Sequence, residues 1–150
     1  MGIKKSEIQS KDKELRLKDK KYLKWIASQA CILCQDIPCQ AHHITYAQHR
    51  GISQKVGDQW TIPLCFLHHD QLHRCGLSER NFWLKIEIDP LHIAETFYKH
   101  NKDMWKNPDF FYDDSMLWIM VYNKLVPKIK KHIDFIMQPK LKNIVSSPEV

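Results

Sequence analysis

Two pairs of ligand-type residues, Cys31-x2-Cys34 and Cys65-x2-His68, stand about thirty residues apart. A tight turn brings the first two thiolates to one point, and the first turn of a helix does the same for the second pair. This double spacing predicts one closed tetrahedral zinc site tying two distant parts of the chain together. In a small domain such a site supplies much of the folding free energy. Cys39 and Cys75 are left over, and each stays open as a substitute ligand.

Four further histidines, His42, His43, His69 and His73, are too many for that one ion. Ala41-His42-His43-Ile44-Thr45-Tyr46 has the β-branched and aromatic character of a strand, and Gln59-Trp60-Thr61-Ile62-Pro63-Leu64 reads as its return, with Pro63 at an edge. Gln48 to Gly57 is polar, carries two glycines and suits a hairpin loop. Cys65 through Arg74 is expected to be helical, ending near Gly76. Residues four apart share a helix face, so His69 and His73 point together toward the hairpin while His68 turns back to Cys65. Adjacent strand residues face opposite sides, so one of His42 and His43 is placed to join the helical pair and the other stands free as a base. Three protein ligands leave positions open for water and a phosphate oxygen, which distinguishes a chemical site from a structural one.

Along the chain, residues 1–20 form a basic N-terminal arm, 21–100 the zinc-binding domain, and 101–150 a linker, an amphipathic helical segment and a disordered tail after Pro139. Tyr22 to Ala30 suggests a short helix leading into the first cysteine pair. Ser78 caps a helix from Glu79 to Ile88, and Asp89-Pro90 opens another to about His100. Phe82, Trp83, Ile86, Leu91, Ala94 and Phe97 are expected to be core. Ser115 to Met137 has near-helical apolar spacing with Pro127 inside. Folding back on the domain is the expectation, with a homodimer seam or the binding of a partner as the alternatives.

Five cysteines are an odd count, and Met1-Gly2-Ile3-Lys4-Lys5 is not an apolar leader. Metal ligands and free thiols in a reducing cytoplasm are therefore expected, rather than a disulfide framework. No apolar run approaches the ~20 residues of a membrane span. A net charge of +6 with a pI of about 9.0 directs attention to polyanionic partners.

Ala41-His42-His43-Ile44, a basic glycine-containing loop, and Pro63-Leu64-Cys65-x2-His68-His69-x3-His73 together resemble the HNH-type, or ββα-metal, endonucleases with a treble-clef zinc knuckle. The likeness is to the phage- and prophage-associated subgroup linked with recombination, and covers Cys31 to about Ala94. It implies an α+β fold with a small ββα-metal core and flanking α-helices. It also implies His42, His69 and His73 as ligands of a catalytic divalent cation, and His43 as the general base. The implied partners are DNA, contacted through its backbone with weak sequence preference, and a recombinase. Members of this family usually carry an asparagine nine residues before the first helical histidine; here Trp60 occupies that position, and Asp58 is expected to take the orienting role.

The implied chemistry is phosphodiester hydrolysis in phage or prophage DNA. An imidazole, which ordinarily titrates near neutral pH, takes a proton from water, and Mg²⁺ or Mn²⁺, with Zn²⁺ and Ni²⁺ also admitted by histidine ligands, neutralises the phosphate. Cys31, Cys34, Cys65 and His68 hold the structural zinc, and Arg50 and Lys55 in the hairpin loop are candidate phosphate clamps. Two readings compete with the nuclease: a non-catalytic zinc module that binds nucleic acid, and a protein-interaction zinc domain.

Overall fold

Antiparallel pairing of β1 (Cys39–His43) with β2 (Thr61–Cys65) sets the frame of the site. The register places Cys39 opposite Cys65, His42 opposite Ile62 and His43 opposite Thr61. The ladder runs one step further, where Ile44 N–H donates to the Trp60 carbonyl at 2.9 Å. Pro63 has no N–H to offer, and its carbonyl accepts from Ile32 N–H at 3.2 Å, so the cysteine knuckle lies against the outer edge of β2. All of β2 is buried, covered by the knuckle and by helices on either side, which explains its continuous apolar run.

The computed structural model describes residues 16–48, 56–107 and 114–146. Its helices are α1 (Lys20–Ala27), α2 (Phe66–Arg74), α3 (Glu79–Lys85), α4 (Pro90–Lys106), α5 (Asp114–Lys131) and α6 (Ile133–Ser146). The protein is thus α+β, with a two-stranded sheet and a helical surround. Three helix starts carry side-chain caps: Asp19 accepts from Tyr22 N–H, Ser78 from Asn81 N–H, and Asp89 from Leu91 N–H with Pro90 following. Among the described residues no helix is long and apolar enough to cross a membrane.

The core spans sheet and helices. Ile26, Ile32, Ile44, Ile62, Leu64, Phe82, Trp83, Ile86, Ala94 and Phe97 are buried, and Leu91 packs at the margin. Leu117, Val121, Leu125 and Ile136 join them, so the C-terminal helices fold back on the domain. Edge-to-face rings stitch α1, α4 and α5: Trp25 meets Phe97 at 5.9 Å and Phe97 meets Trp118 at 5.5 Å between centroids.

Four expectations are corrected. The stretch from Asn101, expected as a linker, continues α4 to Lys106. The cause is a buried face of Pro90, Ile93, Ala94, Phe97 and Asn101 at helical spacing, with Lys102 turned to pair with Asp19. The tail after Pro139, expected to be disordered, is helical to Ser146. Proline deprives the Phe135 carbonyl of its helical donor, and Gln71 Nε2 of α2 supplies one instead at 2.8 Å. The basic arm also ends earlier than residue 20: Leu17 accepts Asp58 N–H at 2.9 Å, so this segment is tied to the hairpin. Finally, the single C-terminal helical segment is two helices, divided at His132, with Pro127 accommodated inside α5.

Candidate metal centres and the histidine pair

Cys31 and Cys34 sit in the knuckle, Cys65 ends β2, and His68 lies in the first turn of α2. Their four ligand atoms lie within 4.8 Å of one another. Cys34 Sγ is 3.7 Å from Cys65 Sγ, and His68 Nδ1 is 3.3 Å from Cys65 Sγ and 3.7 Å from Cys31 Sγ. A tetrahedral zinc with ordinary Zn–S and Zn–N bonds has S···S edges of about 3.8 Å and S···N edges of about 3.6 Å. The donor set and its spacing fit a structural zinc. Of the two spare thiols, Cys39 Sγ donates to the Asp36 carbonyl at 3.1 Å and Cys75 Sγ reaches the Leu72 carbonyl at 3.8 Å, and neither belongs to the cluster.

The crowded donors perturb one another, favouring a thiolate at Cys65 over Cys31 and Cys34. The Cys34 hydrogen bond favours ionisation of Cys31, but its bonds with Cys39 and Cys65 and its burial outweigh this and push the thiol up. Cys34 is pushed up by Cys31, Cys65 and burial, while hydrogen bonds from Cys31 and Cys34 hold Cys65 far down. Burial disfavours the charged His68 ring, yet Cys34, Cys65 and the Ile136 carbonyl raise it to about 9. His68 Nε2–H donates to that carbonyl at 2.8 Å, which fixes the tautomer and leaves Nδ1 aimed at the sulfurs.

The second group forms where β1 crosses α2. One ring nitrogen each of His42, His69 and His73 lie within 4.8 Å of one another, and the Nε2 atoms of His69 and His73 are 3.3 Å apart. Two imidazole nitrogens on one ion stand about 3.0 Å apart in octahedral and about 3.4 Å in tetrahedral geometry. His42 is buried, His69 partly buried and His73 exposed, so the group runs from the interior to the surface. Burial, with His42 and His73 alongside, holds His69 below its ordinary value and so favours the neutral, donor form. These three residues fit a divalent cation with an open, solvent-facing side.

Glu79, at the start of α3, was not singled out by its sequence context, where it reads as the residue after a cap. Its Oε1 accepts His42 Nε2–H at 2.7 Å, and its Oε2 accepts Thr45 N–H at 3.1 Å and Thr45 Oγ1–H at 2.6 Å. Burial works against this carboxylate, but the His42 and Thr45 bonds hold it below its ordinary value. With Nε2 engaged, His42 presents Nδ1, the carboxylate–histidine arrangement that orients metal ligands. A weak signal was available: the residues three and four beyond Glu79 are Phe82 and Trp83, so it has no helical cation partner.

His43 faces the other side of β1. Its Nε2–H donates to Asp58 Oδ1 at 2.9 Å, leaving Nδ1 free of that bond. Asp58 is 3% exposed, and its Oδ2 accepts Asp19 N–H at 2.7 Å. Trp60, at the position where an asparagine was expected, contributes its backbone to the ladder rather than a side chain to His43. Arg50 and Lys55 lie outside the described residues.

A stretch of 61 residues is 33% identical to the Uncharacterized protein YdfU of Escherichia coli (strain K12), covering 41% of this chain and 18% of that protein. No solved structure matches. Residues 7–88 match the family described as Protein of unknown function (DUF968), a span that includes the seven clustered donors together with His43, Asp58 and Glu79. As that match covers more than half of the 150 residues, the chain belongs to this family.

Proposed function

We propose that this protein is a metal-dependent DNA endonuclease of the HNH type, acting in phage or prophage DNA recombination or processing. The observation that carries the reading is the division of labour on β1. His42 turns to His69 and His73, while its neighbour His43 turns to a buried carboxylate.

In this reading Cys31, Cys34, Cys65 and His68 hold a structural zinc that fixes α2 against the hairpin, in a treble-clef arrangement. His42, His69 and His73 hold a second cation, Mg²⁺ or Mn²⁺ and on chemical grounds also Zn²⁺ or Ni²⁺, which when bound neutralises the phosphate and the leaving 3′ oxygen. His43 Nδ1 accepts a proton from the attacking water. Asp58 holds the ring and stabilises the imidazolium that forms, and Glu79 keeps His42 pointed inward. The products are a 5′ phosphate and a 3′ hydroxyl. A basic chain supports backbone contacts, with affinity falling steeply as salt rises.

A nicking assay decides it. Supercoiled plasmid and single-stranded DNA are incubated with Mg²⁺, Mn²⁺ or EDTA, comparing wild type with His43→Ala. Metal-dependent cutting by wild type, reduced about 10²–10⁴-fold in the variant, is expected. Salt-sensitive DNA binding without cutting under any ion would overturn the nuclease and establish the non-catalytic nucleic-acid-binding module, with Trp60 as the leading reason.

A further inference from the structure

The Asp58 carboxylate is itself held by a second layer that reaches α4, beyond the matched family segment. Its Oδ1 receives His43 Nε2–H at 2.9 Å, and its Oδ2 receives the backbone N–H of Asp19 at 2.7 Å. Asp19 presents that N–H because it is the cap of α1, its Oδ1 accepting Tyr22 N–H at 3.1 Å. The other oxygen of Asp19 is bound by the ammonium of Lys102. Lys102 is in turn set over the rings of Tyr98 and Tyr22, 5.1 and 5.8 Å from their centroids. Three elements far apart in sequence therefore converge on one imidazole. Side-chain exposure falls along the chain, from 32% at Lys102 through 21% at Asp19 to 5% at Asp58.

A helix cap needs no lysine, and a surface ion pair needs no buried carboxylate behind it. The two are joined because the residue that caps α1 also donates to Asp58. We infer that Asp19 and Lys102 are positioning residues for the His43–Asp58 pair. Lys102 fixes the Asp19 carboxylate, the fixed cap aims the Asp19 N–H, and that N–H locks the carboxylate that orients His43. This rests on the nuclease reading only for its consequence in catalysis; the positioning itself is a statement about the His43 ring.

The test uses zinc-loaded protein and five variants: Lys102→Met, Lys102→Arg, Asp19→Asn, Asp58→Ala, and Lys102→Met combined with Asp58→Ala. Asp19→Asn keeps a capping oxygen and the backbone donor but not the anion. Plasmid nicking with Mg²⁺ or Mn²⁺ gives kcat and KM, and nitrogen-15 histidine NMR reads the Nε2–H proton and tautomer of His43. In Lys102→Met and Asp19→Asn, kcat falls about tenfold with KM nearly unchanged, since a small misplacement of the base is felt in the transition state. The His43 Nε2–H signal broadens or is lost, Lys102→Arg restores both, and Lys102→Met adds nothing once Asp58 is alanine. An unchanged His43 signal in Lys102→Met, or a loss of equal size in the Asp58→Ala background, overturns the inference. Absence of cleavage by wild type removes the nuclease reading alone, because the NMR readout still decides the positioning.

Discussion

The adjacent histidines of β1 have opposite surroundings because a strand alternates its faces, so one residue step separates the His69 and His73 cluster from the buried Asp58 carboxylate. That step was legible in the sequence, as was the convergence of His69 and His73 from their four-residue spacing. The Glu79 contact was not, since it depends on where α3 lands relative to β1. It carries its own prediction. Glu79→Gln retains an acceptor for His42 but loses the charge, and isothermal titration with Mn²⁺ or Zn²⁺ is expected to show roughly 10–100-fold weaker binding at the histidine group. Thermal unfolding of the same variant should move much less than its metal affinity.

Among the elements, α2 carries the most clustered side chains: His68 in the Cys3His group, His69 and His73 in the histidine group, and Gln71 on the backbone of α6. The β-branched and aromatic runs placed the hairpin strands to within about three residues, and the ligand spacing placed α2 to within one, because ligand chemistry leaves few alternatives. The helical stretch beyond Pro139 escaped notice because its support is tertiary, an amide from α2 replacing the donor that proline lacks. Gln71→Leu should therefore orphan the Phe135 carbonyl and cost about 1–3 kcal/mol in urea unfolding, and the loss should shrink when Pro139→Ala restores a local N–H. The tie between α1 and α4 adds a pH dependence. Burial works against the charged Asp19, but Lys102 and Tyr22 N–H hold its carboxyl below the ordinary value. That contribution is complete above the unfolded carboxyl's pKa of about 3.9 and is lost as pH falls through the lower folded value. Lys102→Met should flatten the acid limb of the stability curve.

For the molecule as a whole, the Cys3His cluster joins the knuckle, the hairpin, α2 and, through His68, α6. Removing zinc with a strong chelator is predicted to lower the thermal midpoint and to release α6, read as lost helical circular dichroism and as early amide exchange over residues 133–146. Zinc should restore both. The His68–Ile136 bond also spans 68 residues of sequence. At ordinary elongation rates Ile136 is translated roughly 3–14 s after His68. The four sulfur and nitrogen donors thus leave the ribosome well before the carbonyl that completes their outer contacts. Cells short of zinc during that interval would synthesise a chain whose last helix has no docking partner, and its abundance would depend on zinc arriving before the undocked chain is degraded.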